Sequence, residues 1–383
     1  GVLATLSVAV VVALNPAELL RQARDSNRLA ELASLSRAIS IVATEQSGAS
    51  LGDPTKIYLS LPDDSSSACA TYTDLLPPSP GHSYRCVTTA SLRKTDGNGW
   101  IPINFQSFSS GPLLSALPVD PVNSAVSGYY YAYVGGSKYA VVALLESEKY
   151  LKQSAIKDGG TDDGRVEFGT DISLWADASG LKGLWRLDES TGGTIAKDSS
   201  GSGNNGVVPN VTPFVAGKMG NAVNFRGGVT DKVRIPYSLS LYHSSTTSIL
   251  AWFKQADVNT WPIYGDSNLT PQTFYLASVG TAQLMTNNGG AFVPPIDFLS
   301  TPFPLNNWNH IALTWIGGNL NLYKDGVFAE QKSAPYTPND RGQDYYIGYH
   351  WTSGSFKGQI DEVRVYDRPL SPAEIQATYK ATR

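Results

Sequence analysis

The first 46 residues contain a helical pattern that changes character part of the way along. Residues 1–14 (GVLATLSVAVVVAL) are uncharged and almost entirely apolar. Asn15 and Pro16 then suit the N-cap and the first position of a helix. The segment 16–46 repeats apolar residues at spacings of three and four, at Leu29, Leu32, Leu35, Ile39 and Val42. This spacing predicts an amphipathic helix that buries one face.

The apolar stretch 1–14 is open to three interpretations. It is shorter than the roughly 20 apolar residues that a bilayer-spanning helix needs. It fits the end of a longer hydrophobic segment, the second half of a signal sequence, or a buried helix. It lacks the basic region and the small-residue cleavage site of a secretory signal.

The chain as a whole has the composition of a turn-rich β protein. Of its 383 residues, 42% are hydrophobic and 16% are charged, which excludes intrinsic disorder. Glycine (36 residues) and proline (23) are frequent, as are tyrosine (20) and tryptophan (8). Lysine and arginine total 29 against 33 acidic residues, and the sequence contains no basic stripe. We therefore expect no nucleic-acid partner.

Residues 47–175 are predicted to form a β-rich head domain. Short runs of β-branched and aromatic residues between Gly, Pro and Ser clusters predict an antiparallel sheet that covers the leucine face of the helix. Cys69 and Cys86 are the only cysteines, and the proline-rich segment 77–81 turns the chain between them, which favours a disulfide. Two free buried cysteines are the alternative. Residues 176–180 are predicted to be a linker.

Four segments of this half resemble bacterial type IV pilins and the related pseudopilins. They are NPAELLRQARDSNRLAELASLSRAIS at 15–40, GNGWIPI at 97–103, LPVDP at 117–121, and the strand-like run 129–134. The resemblance covers about residues 1–175. It implies an α+β pilin fold, with a long N-terminal helix packed on a small antiparallel sheet. The processing site of the family, and the glutamate near its mature N-terminus, would precede Gly1.

The resemblance also implies a mode of assembly. In this family the apolar helix is held in the inner membrane before assembly and packs into the filament core afterwards. Copies of the same chain are then the partners in a helical filament. A permanent membrane anchor without a polymer is the alternative interpretation. The residues expected to mediate assembly are Val8, Val11, Leu14, Pro16 and Leu20.

Residues 181–383 are predicted to form a separate all-β sandwich of the jelly-roll type. Many short strands follow one another at turn-punctuated intervals, and the first and last are expected to lie side by side. Asp325-Gly326 lies between two of them and predicts a type I′ hairpin turn. The segment 371–374 (SPAE) has the form of a capping box with proline at the first helical position, which predicts a short helix.

Five segments of this half resemble the laminin G-like, concanavalin A-like jelly-roll domains. They are GLWRLDE at 183–189, DSSG at 198–201, NWNHIA at 307–312, YKDG at 323–326 and IDEVRVY at 360–366. The resemblance covers about residues 181–380. It implies a glycan-binding or protein-binding module, and its fold is shared with some glycoside hydrolases.

Calcium is the cofactor that this resemblance implies, in a structural role. The loop 198–206 alternates oxygen donors of the kind that hard cations prefer. The candidate ligands are Asp198 first, then Asp188, Asn204 and Asp361. An Asn/Gly turn without a metal is the alternative. In the head, Asp120 resembles part of a calcium-binding loop of some pseudopilins, with a plain turn as the alternative.

Glycan contact requires exposed aromatic side chains, and four lie in or beside predicted loops. They are Trp261, Tyr264, Tyr349 and Trp351, with packing or subunit contact as the alternative interpretation. Catalysis is not expected. Asp361 and Glu362 are adjacent and so point to opposite faces of a strand, and the histidines show no metal-ligand spacing.

The sequence therefore predicts an α+β pilin followed by an all-β jelly-roll sandwich. The predicted function is that of a structural subunit of an extracellular pilus-like filament, anchored in the inner membrane before assembly and located on the cell surface afterwards. The jelly roll is displayed for adhesion to surface glycans or proteins. The alternatives are a pseudopilin of a type II-like secretion system and a membrane-anchored carbohydrate-active enzyme.

Overall fold

The computed structural model describes most of the chain and divides it into two units. The first unit contains the residues up to Leu75 and Gly81–Ala178, and the second contains Leu76–Pro80 and Ser179–Arg383. The residues not described are 1–14, 47, 109–110, 210–212, 229, 242–245, 258–260, 267–273, 279–281, 289–290, 293–295, 299–302, 335–341 and 351–353.

The first unit begins with a long amphipathic helix, α1 (Pro16–Glu45). Asn15 is its N-cap, and the Asn15 side chain accepts a hydrogen bond from the backbone N–H of Glu18. The predicted apolar positions Leu32, Leu35, Ile39 and Val42 are fully or almost fully buried. The sequence thus predicted this helix correctly, and also its buried face, except that Leu29 is only half-buried. Within the described residues, no helix is long and apolar enough to cross a membrane.

A five-stranded sheet forms the rest of the first unit, in the order β2-β1-β3-β4-β5. Its elements are β1 (Lys56–Pro62), β2 (Ser83–Val87), β3 (Tyr131–Gly135), β4 (Tyr139–Leu144), α2 (Glu148–Gln153), a 3-10 turn (Ala155–Lys157), β5 (Arg165–Gly169) and α3 (Ser173–Ser179). The hydroxyl group of Tyr139 on β4 bonds to Ser36 and Ser40 of α1, which joins the helix to the sheet.

The sheet departs from the predicted antiparallel arrangement at one edge. β1 pairs with β2 in the parallel direction, whereas the other neighbouring strands are antiparallel. A parallel pair requires a crossover connection of a dozen or more residues, and the chain between Pro62 and Ser83 is long enough to supply it. The disulfide between Cys69 and Cys86 closes this connection onto β2, so the predicted disulfide is confirmed.

The predicted linker at 176–180 is mostly helical. It overlaps α3, and the boundary between the two units falls between Ala178 and Ser179. The alanines of this segment favour helix, and Trp175, Ala176 and Ala178 are buried. The predicted linker therefore contains the boundary between the units, and most of its residues belong to a helix. Gly180 follows with a φ of 77°, a left-handed conformation that ends helices readily in glycine.

A buried ion cluster fixes α1 to two loops of the first unit. The Arg28 guanidinium donates to both carboxylate oxygens of Asp120 (2.6 and 2.9 Å), to Asp25 (2.8 Å) and to Glu146 (2.6 Å). Arg28 and Asp25 are fully buried, and Asp120 is nearly so. Asp120 also accepts from the backbone N–H of Val122. The Arg28 guanidinium is therefore hydrogen-bonded to the carboxylate of Asp120, the residue that resembles a calcium ligand of some pseudopilins.

The second unit is a β-sandwich, which confirms the jelly-roll prediction. Its strands are β6 (Leu181–Trp185), β7 (Ile195–Ala196), β8 (Gly206–Val207), β9 (Phe214–Ala216), β10 (Asn221–Arg226), β11 (Val233–Ile235), β12 (Ser248–Gln255), β13 (Trp261–Asp266), β14 (Phe274–Ser278), β15 (Ala282–Asn288), β16 (Ala291–Phe292), β17 (Ile296–Phe298), β18 (Asn309–Ile316), β19 (Asn319–Lys324), β20 (Val327–Ser333), β21 (Tyr345–Ile347), β22 (Tyr349–His350), β23 (Gly354–Ser355) and β24 (Lys357–Tyr366).

Two large sheets enclose the core of the sandwich. The described strands of one follow the order β20-β19-β18-β12-β24-β10-β9, with β6 also paired to β24. Those of the other follow β16-β15-β14-β13-β21-β11-β8-β7, with β17 paired to β15. β22 and β23 form a small hairpin. The pairing of β6 with β24 confirms that the first and last strands are neighbours.

The two local motifs of the second unit also form as predicted. Asp325 and Gly326 both have positive φ (50° and 75°) between β19 and β20, as a type I′ turn requires. Ser371 and Glu374 form the predicted capping box at the start of the last helix, α4 (Pro372–Thr382). Ile375 of α4 packs in a cluster with Leu250 and Ala312, so the helix covers the outer face of the first sheet.

Candidate functional site

The site lies on the outer face of the second sheet, where β11 pairs with β21. Side chains of a strand alternate between its two faces. Val233 and Ile235 are buried in the core, whereas Arg234 between them is exposed. On β21, Tyr345 and Ile347 are buried and Tyr346 is half-buried. Because Arg234 is directly opposite Tyr346 in the register, the outer face presents these two side chains together.

A glycine turn brings a second tyrosine to this face. Gly348 has a φ of 71°, and a Cβ atom there would lie 2.3 Å from the buried ring of Phe225. Glycine is therefore the residue that this position accommodates. The turn places the ring of Tyr349 with its centroid 5.4 Å from that of Tyr346, at an interplanar angle of 50°.

Charged groups surround the two rings. The Lys232 ammonium lies 4.6 Å from the ring centroid of Tyr349 and 5.9 Å from that of Tyr346. Arg234 pairs with Asp344, with 2.5 Å between Nε and Oδ2. Burial, and then the charge of Asp344, raise the pKa of Tyr346, so its hydroxyl group stays protonated and available as a donor.

We call these five residues the tyrosine surface: Lys232, Arg234, Asp344, Tyr346 and Tyr349. Its chemistry suits recognition. Aromatic faces offer apolar area with a fixed shape, and they attract cations and C–H groups through the ring quadrupole. The hydroxyl, ammonium and guanidinium groups beside the rings add hydrogen-bond donors. Such a combination of a flat ring and convergent donors fits the apolar face and the hydroxyl groups of a sugar.

The four aromatic residues predicted for glycan contact have different locations. Tyr349 is part of the tyrosine surface. Tyr264 is fully buried and stacks on Trp185 and Tyr345, so its prediction as a surface residue was wrong. The register of β13 shifts between Pro262 and Tyr264, and both Ile263 and Tyr264 belong to the core cluster of the sandwich. Trp261 is the first residue of β13, and Trp351 lies outside the described residues.

Sequence reasoning missed Tyr346, Lys232 and Arg234. A signal for them is present in the alternation of KVRI at 232–235 and of YYI at 345–347. In each run the aliphatic residues share one face and the polar or second aromatic residues share the other. The pairing of the two runs could not be read from the sequence, because more than a hundred residues separate them.

Two of the predicted calcium ligands hold one loop together. The Asp198 carboxylate accepts from the backbone N–H groups of Leu184 (3.0 Å), Ser200 (2.9 Å) and Asn204 (2.8 Å). The Asn204 amide donates to the carbonyl oxygen of Lys182 (2.7 Å) and to a serine hydroxyl group. Both side chains are nearly buried. In this arrangement they tie the loop to the start of β6.

The other two predicted ligands hold the turn between β9 and β10. Asp361 accepts from the backbone N–H groups of Lys218 (2.8 Å) and Met219 (3.0 Å), and Asp188 accepts from that of Asn221 (2.8 Å). To bind a calcium ion, these carboxylates would have to give up their hydrogen bonds to the backbone N–H groups. Among the residues that the structure describes, no group of three or more His, Cys, Asp or Glu side chains is placed to hold a metal ion. Calcium stays a prediction.

The predicted assembly residues fall at the start of α1 and before it. Pro16 is exposed and Leu20 is 61% exposed, with Leu19 beside it at 50%. Val8, Val11 and Leu14 lie outside the described residues. The first turns of α1 therefore present leucine side chains to solvent, whereas its second half buries them.

Comparison with solved structures found matches that cover about half of the chain. Domain 4 of AbnA, a GH43 extracellular arabinanase from Geobacillus stearothermophilus, in complex with arabinotriose, is 21% identical, with a TM-score of 0.43, and the match covers 52% of this chain and 97% of that one. The binding domain of botulinum neurotoxin serotype G is 17% identical, with a TM-score of 0.40, and the match covers 48% of this chain and 47% of that one.

The family comparison concerns the second unit alone. No protein with a curated description matches the chain. Residues 226–376 match the family model described as the concanavalin A-like lectin/glucanases superfamily. These residues contain the tyrosine surface and most strands of both large sheets. Most of the second unit is thus similar to this family, and its two packed sheets form a jelly-roll sandwich.

Proposed function

We propose that this chain is a filament subunit of the type IV pilin kind whose jelly roll binds carbohydrate. The observation that carries the binding function is the tyrosine surface, because two adjacent aromatic rings with donors around them lie on the outer face of a sheet. The family model that matches this unit includes lectins and glucanases, and both classes bind sugars. We propose binding without turnover, since Asp361 and Glu362 are buried and engaged by backbone N–H groups and by Arg364.

Removing one ring of the surface is the test of the binding function. Tyr349→Ala is expected to weaken glycan binding by about tenfold or more, because aromatic residues dominate the binding energy of such contacts. Tyr349→Phe keeps the ring and is expected to lose much less. The measurement is a glycan array followed by isothermal titration calorimetry, with and without calcium.

Phe328→Ala is the matched control, because Phe328 is an exposed aromatic residue (53%) of the same unit on β20 of the other sheet. This control is expected to bind as the unsubstituted chain does. The proposal fails if the chain binds no carbohydrate, or if Tyr349→Ala and Phe328→Ala bind equally well.

The filament function rests on the exposed leucines at the start of α1. Leu19 and Leu20 present apolar area that no part of the described chain covers, and they follow an apolar stretch of 14 residues. Packing against helices of neighbouring copies would remove this area from water. We propose that the chain rests in the inner membrane before assembly and belongs to a cell-surface filament afterwards.

Electron cryo-microscopy of material sheared from the cell surface tests the filament. The expected result is a helical polymer of this chain with residues 1–46 at its axis. Leu20→Glu is expected to reduce the yield of filaments strongly, since a carboxylate in an apolar core is unfavourable. Arg37→Glu, an exchange of one charged residue for another farther along α1, is the control. A chain that stays monomeric in membranes contradicts the proposal and favours a pseudopilin or an anchored lectin.

A further inference from the structure

The first unit contains an open cavity of about 510 Å³ beside the segment 89–96. Ligand sites of proteins commonly have volumes of about 300 to 1,000 Å³. Among the described residues that line this cavity, none is aromatic and none is a large aliphatic residue. We call it the polar cavity. Its charged and hydrogen-bonding side chains include Arg93, Lys94, Thr95, Asp96, Gln106 and Ser115.

Hydrogen bonds fix the walls of the polar cavity. The Nε atom of Arg93 donates to the carbonyl oxygen of Leu117 (3.0 Å), and the backbone N–H of Leu117 donates to the carbonyl oxygen of Arg93 (2.9 Å). Thr95 is 3% exposed, and its hydroxyl group accepts from the side-chain amide of Gln106 (3.0 Å). The cavity is therefore formed before a ligand enters, which lowers the entropic cost of binding.

Two cations without an ion-pair partner line the polar cavity. Arg93 and Lys94 are exposed, and neither forms an ion pair with a described residue. The residues of the first unit that the structure does not describe are 1–14 and three serines, and none of these is acidic. No carboxylate of this unit therefore pairs directly with either cation, and both charges are available to an anionic ligand.

Asp96 offers an acceptor for hydroxyl groups in the same cavity. One of its carboxylate oxygens accepts from the backbone N–H of Asn98 (3.0 Å). This hydrogen bond lowers the pKa of Asp96, so the carboxylate is ionised at neutral pH. The Ser115 hydroxyl group and the side-chain carbonyl oxygen of Gln106 can also bond to hydroxyl groups. The cavity thus has partners for an anion and for several hydroxyl groups.

We propose that the polar cavity binds a phosphorylated polyol, whose phosphate pairs with Arg93 and Lys94 while its hydroxyl groups bond to Asp96. A phosphate monoester carries a charge of about −1.5 to −2 at pH 7, so its charge matches that of two cations. Guanidinium and ammonium groups both bind phosphate oxygens well. Inorganic phosphate would leave the acceptors of the cavity unused. The phosphate is either that of a free monoester or that of a diester in a polymer, and the experiment separates these two sources.

Titration calorimetry of the full chain with sorbitol 6-phosphate, sorbitol and inorganic phosphate tests this proposal. Sorbitol is chosen because it has no sugar ring to pack on the tyrosine surface. Sorbitol 6-phosphate is expected to bind about tenfold more tightly than either of the other two, and its affinity is expected to fall as salt rises. In the diester arm, glycerophosphoglycerol replaces sorbitol 6-phosphate. Binding of either ester supports the proposal and identifies the source of the phosphate.

Variants of Lys94 assign the binding to the polar cavity. Lys94→Gln is expected to weaken binding of the phosphate ester about tenfold, because the ligand loses a charge-assisted hydrogen bond. Lys94→Arg keeps the positive charge and is expected to lose much less. Lys138→Gln is the matched control, since Lys138 is an exposed lysine of the same unit that pairs with Asp171 (3.2 Å).

The Tyr349→Ala variant distinguishes this site from the proposed glycan site, and it is expected to bind the phosphate ester as the unsubstituted chain does. The proposal is wrong if neither ester binds, or if inorganic phosphate binds as tightly as the esters. It is also wrong if Lys94→Gln and Lys138→Gln bind equally well, or if Tyr349→Ala loses the binding. None of these results bears on whether the jelly roll binds carbohydrate.

Discussion

Replacement of Arg28 by alanine is expected to destabilise the first unit by about 3–5 kcal/mol, the range found when one partner of a buried ion pair is removed. Arg28 makes four hydrogen bonds to Asp25, Asp120 and Glu146. Without the guanidinium, the buried carboxylates of Asp25 and Asp120 lose their cationic partner, whereas Glu146 keeps its hydrogen bonds to Arg24. The variant therefore loses the pairing and retains the cost of the buried negative charge.

A control variant separates the loss of the buried ion cluster from the general effect of removing a positive charge from α1. Arg21→Ala removes an arginine of the same helix that is 42% exposed and pairs with Glu18 at 3.4 Å. Its expected effect is below about 1 kcal/mol, because solvent screens such pairs. Arg28→Lys is expected to lie between the two, since a single ammonium cannot reproduce the forked contacts with Asp120.

Hydrogen exchange of peptides from β4, followed by mass spectrometry, measures the change in the first unit alone. The free energy of opening should fall in the order unsubstituted chain, Arg28→Lys, Arg28→Ala. Equal protection of the Arg28→Ala and Arg21→Ala variants would show that the buried cluster contributes little to stability.

The second large expected effect is a loss of stability of the second unit at acidic pH. His310 on β18 is 1% exposed and contacts the rings of Trp252 (5.2 Å) and Tyr379 (5.6 Å), which also stack on each other. Burial, and then the charge of Arg364, lower its pKa to about 3. The folded histidine stays neutral where the unfolded one is protonated. The contribution of neutral His310 to the free energy of unfolding is therefore fully present above about pH 6.5. It is lost by about 1.4 kcal/mol per pH unit as the pH falls toward 3.

His310→Phe isolates this contribution, because phenylalanine keeps a ring in the same place and has no proton to bind. Between about pH 7 and pH 5 the unsubstituted chain is expected to lose about 2 kcal/mol more than the variant does. Exchange rates of peptides from β18 provide the readout. If the stability of the two proteins falls equally between these pH values, His310 becomes protonated in the folded state as readily as in the unfolded state, which contradicts the prediction.

Local sequence patterns predicted the elements whose determinants are close together in the chain. The face of α1, the Asp325-Gly326 hairpin and the Ser371 capping box each depend on a few neighbouring residues. The parallel pairing of β1 with β2 depends on how the long connection closes, and the sequence favoured an antiparallel pair. The buried partner of Asp120 was likewise missed, because Arg28 precedes it by 92 residues.

The candidate site shows the same limit. Tyr349 was predicted from its loop-like surroundings, and it does lie on an outer face. Tyr264 has similar neighbours in sequence but belongs to an inward-facing position of β13, which only the pairing of β13 with β21 reveals. Lys232 belongs to the candidate site because its ammonium contacts the rings of Tyr346 and Tyr349, which lie more than a hundred residues later in the chain.

The place of β24 in its sheet has a consequence for biosynthesis. β24 pairs with β6, β10 and β12, so it lies at the centre of the first sheet although it is the last strand in the chain. Strands synthesised much earlier must remain without this partner until β24 leaves the ribosome, and translation adds only about 5–20 residues per second. The edges of β6, β10 and β12 that pair with β24 are therefore expected to stay unpaired for several seconds during synthesis, a state in which chains associate through their strand edges.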